Sequence, residues 1–427
     1  MILLQELKRA ISDSQLISYP LIERDRYLLW LKEASKNKLI KAVVGFRRAG
    51  KSQLLKLLCK SLINDGVPES NIFFLNFEND LLTEIRDVKD LRQIWDRYVR
   101  EIADINKPIY IIWDEIQLVD KWEKLVRTLY EMGKYNIFIS GSNNKLLSGE
   151  LSSSLSGRAL TLEVSPFSFS EYLDFHNINH NHYYSNKDQI DKSFVSYLNR
   201  GGLAEQFNMS DNMAVNYKEG IIQKIIIDDI VKRYQIDKIN VLKEIFDFVS
   251  GNITSTTSLR KIAERIKNQG IPISILTVNN YLQYWQTAYA LSKLSKFDYK
   301  LSRVFNKTNK YYVIDNLFVP QDDNQKEKRL ENLVYNELVR RYGMDCISFG
   351  QNHNGYEVDF IVKDEDKFLF FQVCLQLNDI NAKREIGNLE LIQKSISGDA
   401  KIIALDDVRK KSTDFESTSV IEWLLEK

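Results

Sequence analysis

Gly45-Phe46-Arg47-Arg48-Ala49-Gly50-Lys51-Ser52 fits the pattern G-x-x-x-x-G-K-[ST] at every defined position. Its flanks decide how it folds. Leu39 to Val44 is a short apolar run with the character of a buried strand, and Gln53 to Leu58 has helical composition. A strand, a tight loop and a helix N-terminus together cradle an anion. The first backbone N–H groups of a helix lack partners within it, and their dipoles favour negative charge. Gly45 and Gly50 let the main chain turn and come close to phosphate oxygens. Lys51 is placed for β- and γ-phosphates and Ser52 for a Mg²⁺ ion, so ATP and Mg²⁺ are the expected cofactors. Ala49 and Gln53 complete the nucleotide-binding set with Arg47 and Arg48, two cations that either hold an anion or stay solvated.

Working outward, Ile109 to Trp113 is an apolar strand that ends in Asp114-Glu115. Ligands of a parallel sheet bind beyond the carboxyl ends of its strands, which brings both acids to Lys51. Asp114 is expected to hold Mg²⁺ and Glu115 to polarise the attacking water. Taken without the loop, two acids closing a strand read equally as a helix cap. Further apolar runs at 71–77, 136–140 and 159–164 alternate with helical patterns. The alternation predicts an α/β fold with a parallel sheet covered by helices on both faces. The 71–77 run, inserted before the acidic strand, and the extra glutamate mark the NTPase branch that hydrolyses with a glutamate. Ser142, with Asn143 as second choice, stands where a polar sensor of the γ-phosphate is expected; a Gly/Ser turn is the alternative. Arg158 is expected to reach a γ-phosphate within the chain or across a subunit boundary, with a surface salt bridge as the other reading.

At 427 residues the chain exceeds one ordinary domain. Its 44% hydrophobic and 27% charged residues are ordinary for a soluble protein. Lys+Arg at 59 and Asp+Glu at 58 nearly cancel, so any basic surface is local. Cys59, Cys346 and Cys374 show neither paired nor metal-like spacing, and no apolar run is long enough to span a bilayer. A cytoplasmic protein without a membrane partner is expected. The order of patterns suggests an ATPase domain over 1–190, a helical lid or connector over 191–240, three helices and a β-ribbon forming a winged helix over 241–320, and a further domain over 321–427. Ser274 reads as the N-cap of the third helix. Three histidines in 176–182 read as a polar loop.

The chain resembles a family of bacterial and archaeal AAA-type ATPases that carry a winged-helix segment and a C-terminal domain like the PD-(D/E)xK nucleases. The match rests on Gly45 to Ser52, Trp113 to Gln117, Ser140 to Asn143, Ser156-Gly157-Arg158, Pro166 to Tyr172, Gly201-Gly202-Leu203-Ala204-Glu205, Lys310 to Asp315 and Glu357-Val358-Asp359-Phe360. The resemblance implies a restriction-endonuclease-like α/β domain at the C-terminus, with Asp359 in its metal site and Glu331 or Glu337 adding a carboxylate. Gln372 and Cys374 stand where an active enzyme would show E-x-K. Gln372 is a neutral, weaker ligand and Cys374 supplies no ammonium. A degenerate site around Glu331, Asp359 and Gln372 is therefore expected, and Arg384 has no assigned place.

The third helix carries no basic residue from Ile271 to Ser292, whereas Lys293, Lys296, Lys300, Arg303, Lys307 and Lys310 cluster in the ribbon. The strip predicts salt-sensitive, non-specific DNA binding, most directly through Lys293, Lys296, Lys300 and Arg303, with a solvated basic face as its counterpart. The main expectation is an ATPase coupled to nucleic acid or a protein partner, oligomeric if Arg158 acts in trans. A nucleotide-loaded switch with little turnover is the alternative, and an ATP-regulated DNA nuclease ranks third.

Overall fold

Strand β1 (Ile40–Val44) is buried along its whole length, as are most residues of β2 (Ile72–Asn76), β3 (Tyr110–Asp114) and β4 (Asn136–Gly141). A strand apolar on both faces needs cover on both, and helices supply it. These strands and β5 (Ala159–Glu163) form a parallel sheet in the order β2-β3-β4-β1-β5. The computed structural model describes residues 3–17, 21–142, 157–236, 238–298, 303–351, 356–377, 382–405 and 415–426. It divides into two units: residues 1–164 with 287–289, and residues 165–286 with 290–427.

In the first unit, helices Leu4–Gln15, Asp25–Ala34 and Lys51–Asn64 form one packed group, and Val88–Glu101 with Trp122–Glu131 another. Asp87 caps Val88–Glu101 by accepting from the N–H groups of Lys89 and Asp90. That helix presses Trp95 and Tyr98 onto the sheet, where Tyr98 stacks on Phe73 at 4.1 Å. The strand lying between β1 and the acidic β3 is β4; β2, the 71–77 run, is at the edge beyond β3. Sequence order and spatial order part here because crossover helices let the chain return on the far side of β1.

The second unit begins with helices Phe169–Phe175, Lys187–Arg200 and Asp211–Lys224, the last running on through a π-helical stretch, Ile225–Val231. Ser168 and Glu171 make a capping box at the first of these. The three helices expected next are Ile239–Gly251, Leu259–Lys267 and Ile275–Thr287. Ser274 caps the third through Thr277 N–H, and Trp285 of that helix is buried, donating to the Leu242 carbonyl at 3.0 Å.

The ribbon, β6 (Leu291–Asp298) and β7 (Arg303–Val313), does not stand apart as a wing. It continues into β8 (Ile347–Gln351), β9 (Glu357–Asp364), β10 (Lys367–Cys374), β11 (Asp399–Ala404) and β12 (Glu416–Ser419), in the order β12-β11-β10-β9-β8-β6-β7. One seven-stranded sheet thus crosses residue 320, with β6 pairing parallel to β8. Helix Lys326–Tyr342 packs on this sheet. No helix among the described residues is long and apolar enough to cross a membrane.

Two separated motifs lock together in the second unit. The buried Asp315 carboxylate accepts from Gly202 N–H at 2.6 Å and Leu317 N–H at 2.9 Å. A Cβ on Gly201, where φ is 78°, would collide with that carboxylate. Burial pushes the Asp315 acid up to about 7, although these N–H groups pull it down. Its folded value lies above the unfolded value of about 4, so its share of stability is present below pH ~4 and lost as pH climbs through ~7. Urea unfolding across that range should show a shallower pH slope for Asp315→Asn than for wild type, and equal slopes would refute the assignment.

Candidate functional site

The loop after β1 turns into helix Lys51–Asn64 through Gly50, which has φ 93°. Gly45, with φ 140°, sits so close to the Val164 backbone that any Cβ would strike its carbonyl. The glycines are thus required by geometry even before a ligand arrives. The Lys51 side chain, 4% exposed, donates to the carbonyls of Gly45 and Phe46, each at 3.1 Å, and its ammonium lies 3.8 Å from Glu115 Oε1. Arg47 pairs with Glu78 at 3.4 Å, while Arg48 is exposed and left-handed at φ 70°. Gln53 is half-buried one turn into the helix region.

Asp114 closes β3 fully buried, and hydroxyls of Ser140 and Ser52 hydrogen-bond to it. Burial, with help from Glu115, pushes its acid up to about 6, against those hydroxyls and Lys51. Its second oxygen, Oδ2, has no hydrogen-bond partner among the described residues. An orphaned, buried carboxylate oxygen beside Ser52 and Lys51 fits the water shell of a divalent cation, so these residues suit Mg²⁺. Glu115 follows in a left-handed conformation, φ 53° and ψ 40°, which costs a non-glycine residue about 1–3 kcal/mol and aims its carboxylate back at Lys51. Gln117 donates to the same carboxylate.

Two residues of this site escaped the sequence reading. Ser140, on β4 between β1 and β3, accepts from Glu115 N–H at 3.0 Å and donates to Asp114, so one hydroxyl positions both acids. The expected sensor, Ser142, is buried two residues further on, at the carboxyl end of the strand; Asn143 lies outside the described residues. Arg24, 3% exposed, donates to the Ala49 carbonyl at 2.9 Å and lies over the Tyr27 ring at 4.5 Å, strapping the loop from the side. Only the charged run Glu23 to Arg26 hinted at it. Ser140→Ala should leave the Glu115 N–H unsatisfied at a cost of about 1–3 kcal/mol. ATP turnover should then fall by roughly 10–100-fold with nucleotide affinity little changed. Wild-type turnover in this variant would remove Ser140 from the site.

Arg158 is corrected. It precedes β5, and its carbonyl accepts from Ile40 N–H at 2.8 Å, at the start of β1. The phosphate loop leaves the other end of β1. Four rises of ~3.3 Å from Ile40 to Val44 put about 13 Å between the two ends. Arg158 therefore cannot reach a phosphate held by its own chain, which leaves the salt bridge or a role across a subunit boundary.

In the second unit Glu331 and Asp359 converge on Lys310, an assigned member of the basic strip, while Gln372 is placed beside Asp359 in the lining of a cavity. Lys310 is 1% exposed and so leaves that strip. Glu337 is engaged elsewhere, pairing with Arg340 and with Arg341 at 2.8 Å. Arg384 pairs with Glu385, and both line a cavity of about 400 Å³ with Asp359 and Gln372. Lys293 and Lys296 are half-buried on β6; Lys300 lies outside the described residues, and of Arg303 only the backbone is described. His180 bonds Asp174 at 3.0 Å, whereas His176 packs against the Tyr172 and Phe207 rings instead of standing in a polar loop.

A family model described as an AAA domain matches residues 37–173, and another, described as a domain of unknown function (DUF8612), matches residues 191–319. An uncharacterized protein of Haemophilus influenzae is 30% identical over 419 residues, 96% of this chain and 100% of that protein. An uncharacterized protein of Methanocaldococcus jannaschii is 33% identical over 387 residues, 86% of this chain and 82% of that protein. Among solved structures, the Walker-type ATPase of Pyrococcus abyssi aligns with a TM-score of 0.42 at 13% identity, covering 70% of this chain and 94% of that one. The Orc1 protein of Aeropyrum pernix, solved in complex with DNA, aligns at 0.32 and 13% identity, over 77% and 97%. The phosphate loop, the acidic strand beside it and a relationship running the length of the Haemophilus protein lead to one conclusion: the chain belongs to the family of AAA-type P-loop ATPases that these bacterial and archaeal relatives share.

Proposed function

We propose that this protein is a Mg²⁺-dependent ATPase whose turnover is coupled to a macromolecular partner. The observation that carries the reading is the buried Lys51–Glu115 approach of 3.8 Å beside the orphaned Asp114 Oδ2. Lys51 and the loop N–H groups neutralise the β/γ charge, and Glu115 accepts a proton from the attacking water. Ser52 and Asp114 are the residues to hold Mg²⁺, which when bound neutralises charge developing on the phosphate oxygens. Ser142 is the expected contact for the γ-phosphate. Steady-state phosphate release with Mg²⁺ and with EDTA, alongside nucleotide binding, tests the reading. Turnover that needs Mg²⁺ supports it; binding with no turnover above background under any partner condition replaces it with the nucleotide-loaded switch.

Coupling to DNA through Lys293, Lys296, Lys300 and Arg303 is the second part of the proposal, now without Lys310. Phosphate contacts release counterions, so affinity should fall steeply with salt and vary little with sequence. Replacing Lys296, Lys300 and Arg303 together should weaken binding alike for all sequences and flatten the salt slope. Unaltered binding at several salt concentrations would point instead to a protein partner.

A further inference from the structure

Lys310 arrives from β7, and its ammonium meets three carboxylates: Glu357 Oε1 at 2.6 Å, Glu331 Oε1 at 3.0 Å and Asp359 Oδ1 at 3.8 Å. Glu357 and Asp359 are two apart on one face of β9, and Glu331 comes from helix Lys326–Tyr342. Two of the acids are fastened in turn. Tyr312, which shares a face of β7 with Lys310, donates its hydroxyl to Glu331 at 2.8 Å, and Val373 N–H donates to Asp359 Oδ2 at 2.9 Å. The Phe349 ring centre lies 5.6 Å from the ammonium. Burial alone would draw a proton off Lys310, but Glu331, Asp359 and Glu357 outweigh it and hold the ammonium above the ordinary lysine range.

A nuclease-like fold implies Mg²⁺ among Glu331, Asp359 and Gln372. The residues present do not fit it. Mg²⁺ takes oxygens at about 2.0–2.1 Å in octahedral array. Here the space between the carboxylates already contains a cation, and a second one within about 4 Å would be strongly repelled. Among the described residues no group of three or more His, Cys, Asp or Glu is arranged to hold a metal. Gln372 Oε1, the remaining oxygen of the expected set, is buried without a hydrogen-bond partner among the described residues.

We propose that Lys310 is a tethered cation standing in for the divalent metal, so that this carboxylate cluster is a metal-free centre whose cation site opens only when the ammonium is removed. A monovalent charge on a strand cannot be chelated away or exchanged, so the centre is permanently filled. It also ties β7 to the helix and hairpin that follow residue 320.

Mn²⁺ titration of the nucleotide-free full-length protein, read by the paramagnetic resonance of free Mn²⁺, tests this. Wild type and Asp359→Asn should bind equal amounts, because neither offers the C-terminal site. Lys310→Ala should gain one Mn²⁺ per chain, and Lys310→Ala with Asp359→Asn should lose it again, which separates this site from the phosphate loop. Folded Lys310→Ala that gains no Mn²⁺ overturns the proposal. If that variant does not fold, the first comparison still decides: Mn²⁺ bound by wild type and lost in Asp359→Asn would mean that a metal occupies the cluster beside Lys310.

Discussion

Lys51→Ala loses ATP binding by about 10²–10⁴-fold. The estimate follows from removing about two charge-assisted hydrogen bonds to phosphate, each worth roughly 1.5–3 kcal/mol. The loss comes with little change in fold stability, because the ammonium's bonds to the carbonyls of Gly45 and Phe46 and its approach to Glu115 lie on a loop whose path is already set by two glycines with positive φ. Isothermal titration with ATP, with circular dichroism as a folding control, measures both. A folded Lys51→Ala protein with wild-type affinity would end the phosphate-loop assignment.

Glu115→Gln separates binding from chemistry. The amide preserves the size of the side chain and its reach toward Gln117, but it cannot accept a proton from water. General-base catalysis contributes about 10²–10⁴-fold, and turnover should drop by that amount while ATP affinity stays within a few-fold of wild type. Losing the carboxylate 3.8 Å from Lys51 leaves that ammonium less compensated, so affinity, if it moves, should rise. Turnover within a factor of about three of wild type would transfer the role of base to another residue.

Much of the nucleotide site could be read in advance because its residues are neighbours in sequence. The loop fixes Lys51 and Ser52 by spacing, and the end of an apolar strand fixes Asp114 and Glu115. The parts that resisted reading are joined only through space. Ser140 and Ser142 point the same way from β4, and nothing in the residue string says which one meets the acids; the position of β4 between β1 and β3 does. Arg158 was read from its place in the chain order, but a parallel strand separates its two ends by its full length. Lys310 looked like one more member of a basic cluster because charge was counted along the sequence. Its strand parity with Tyr312, a residue on the buried side, was the available signal. The seven-stranded sheet was hidden for a similar reason: β6 and β8 are separated by helix Lys326–Tyr342 in sequence and pair in space.

That pairing has an evolutionary and practical consequence. The match to the domain of unknown function stops at residue 319, where a polar stretch invites a cut. A fragment ending there would strip β8 from β6 and leave a row of unpaired main-chain groups, a template for self-association. Such a fragment should aggregate, whereas one reaching residue 427 keeps the edge paired. By the same token, recombination could not trade the two flanking segments independently: any exchange that supplied one without the other would inherit an unfinished sheet.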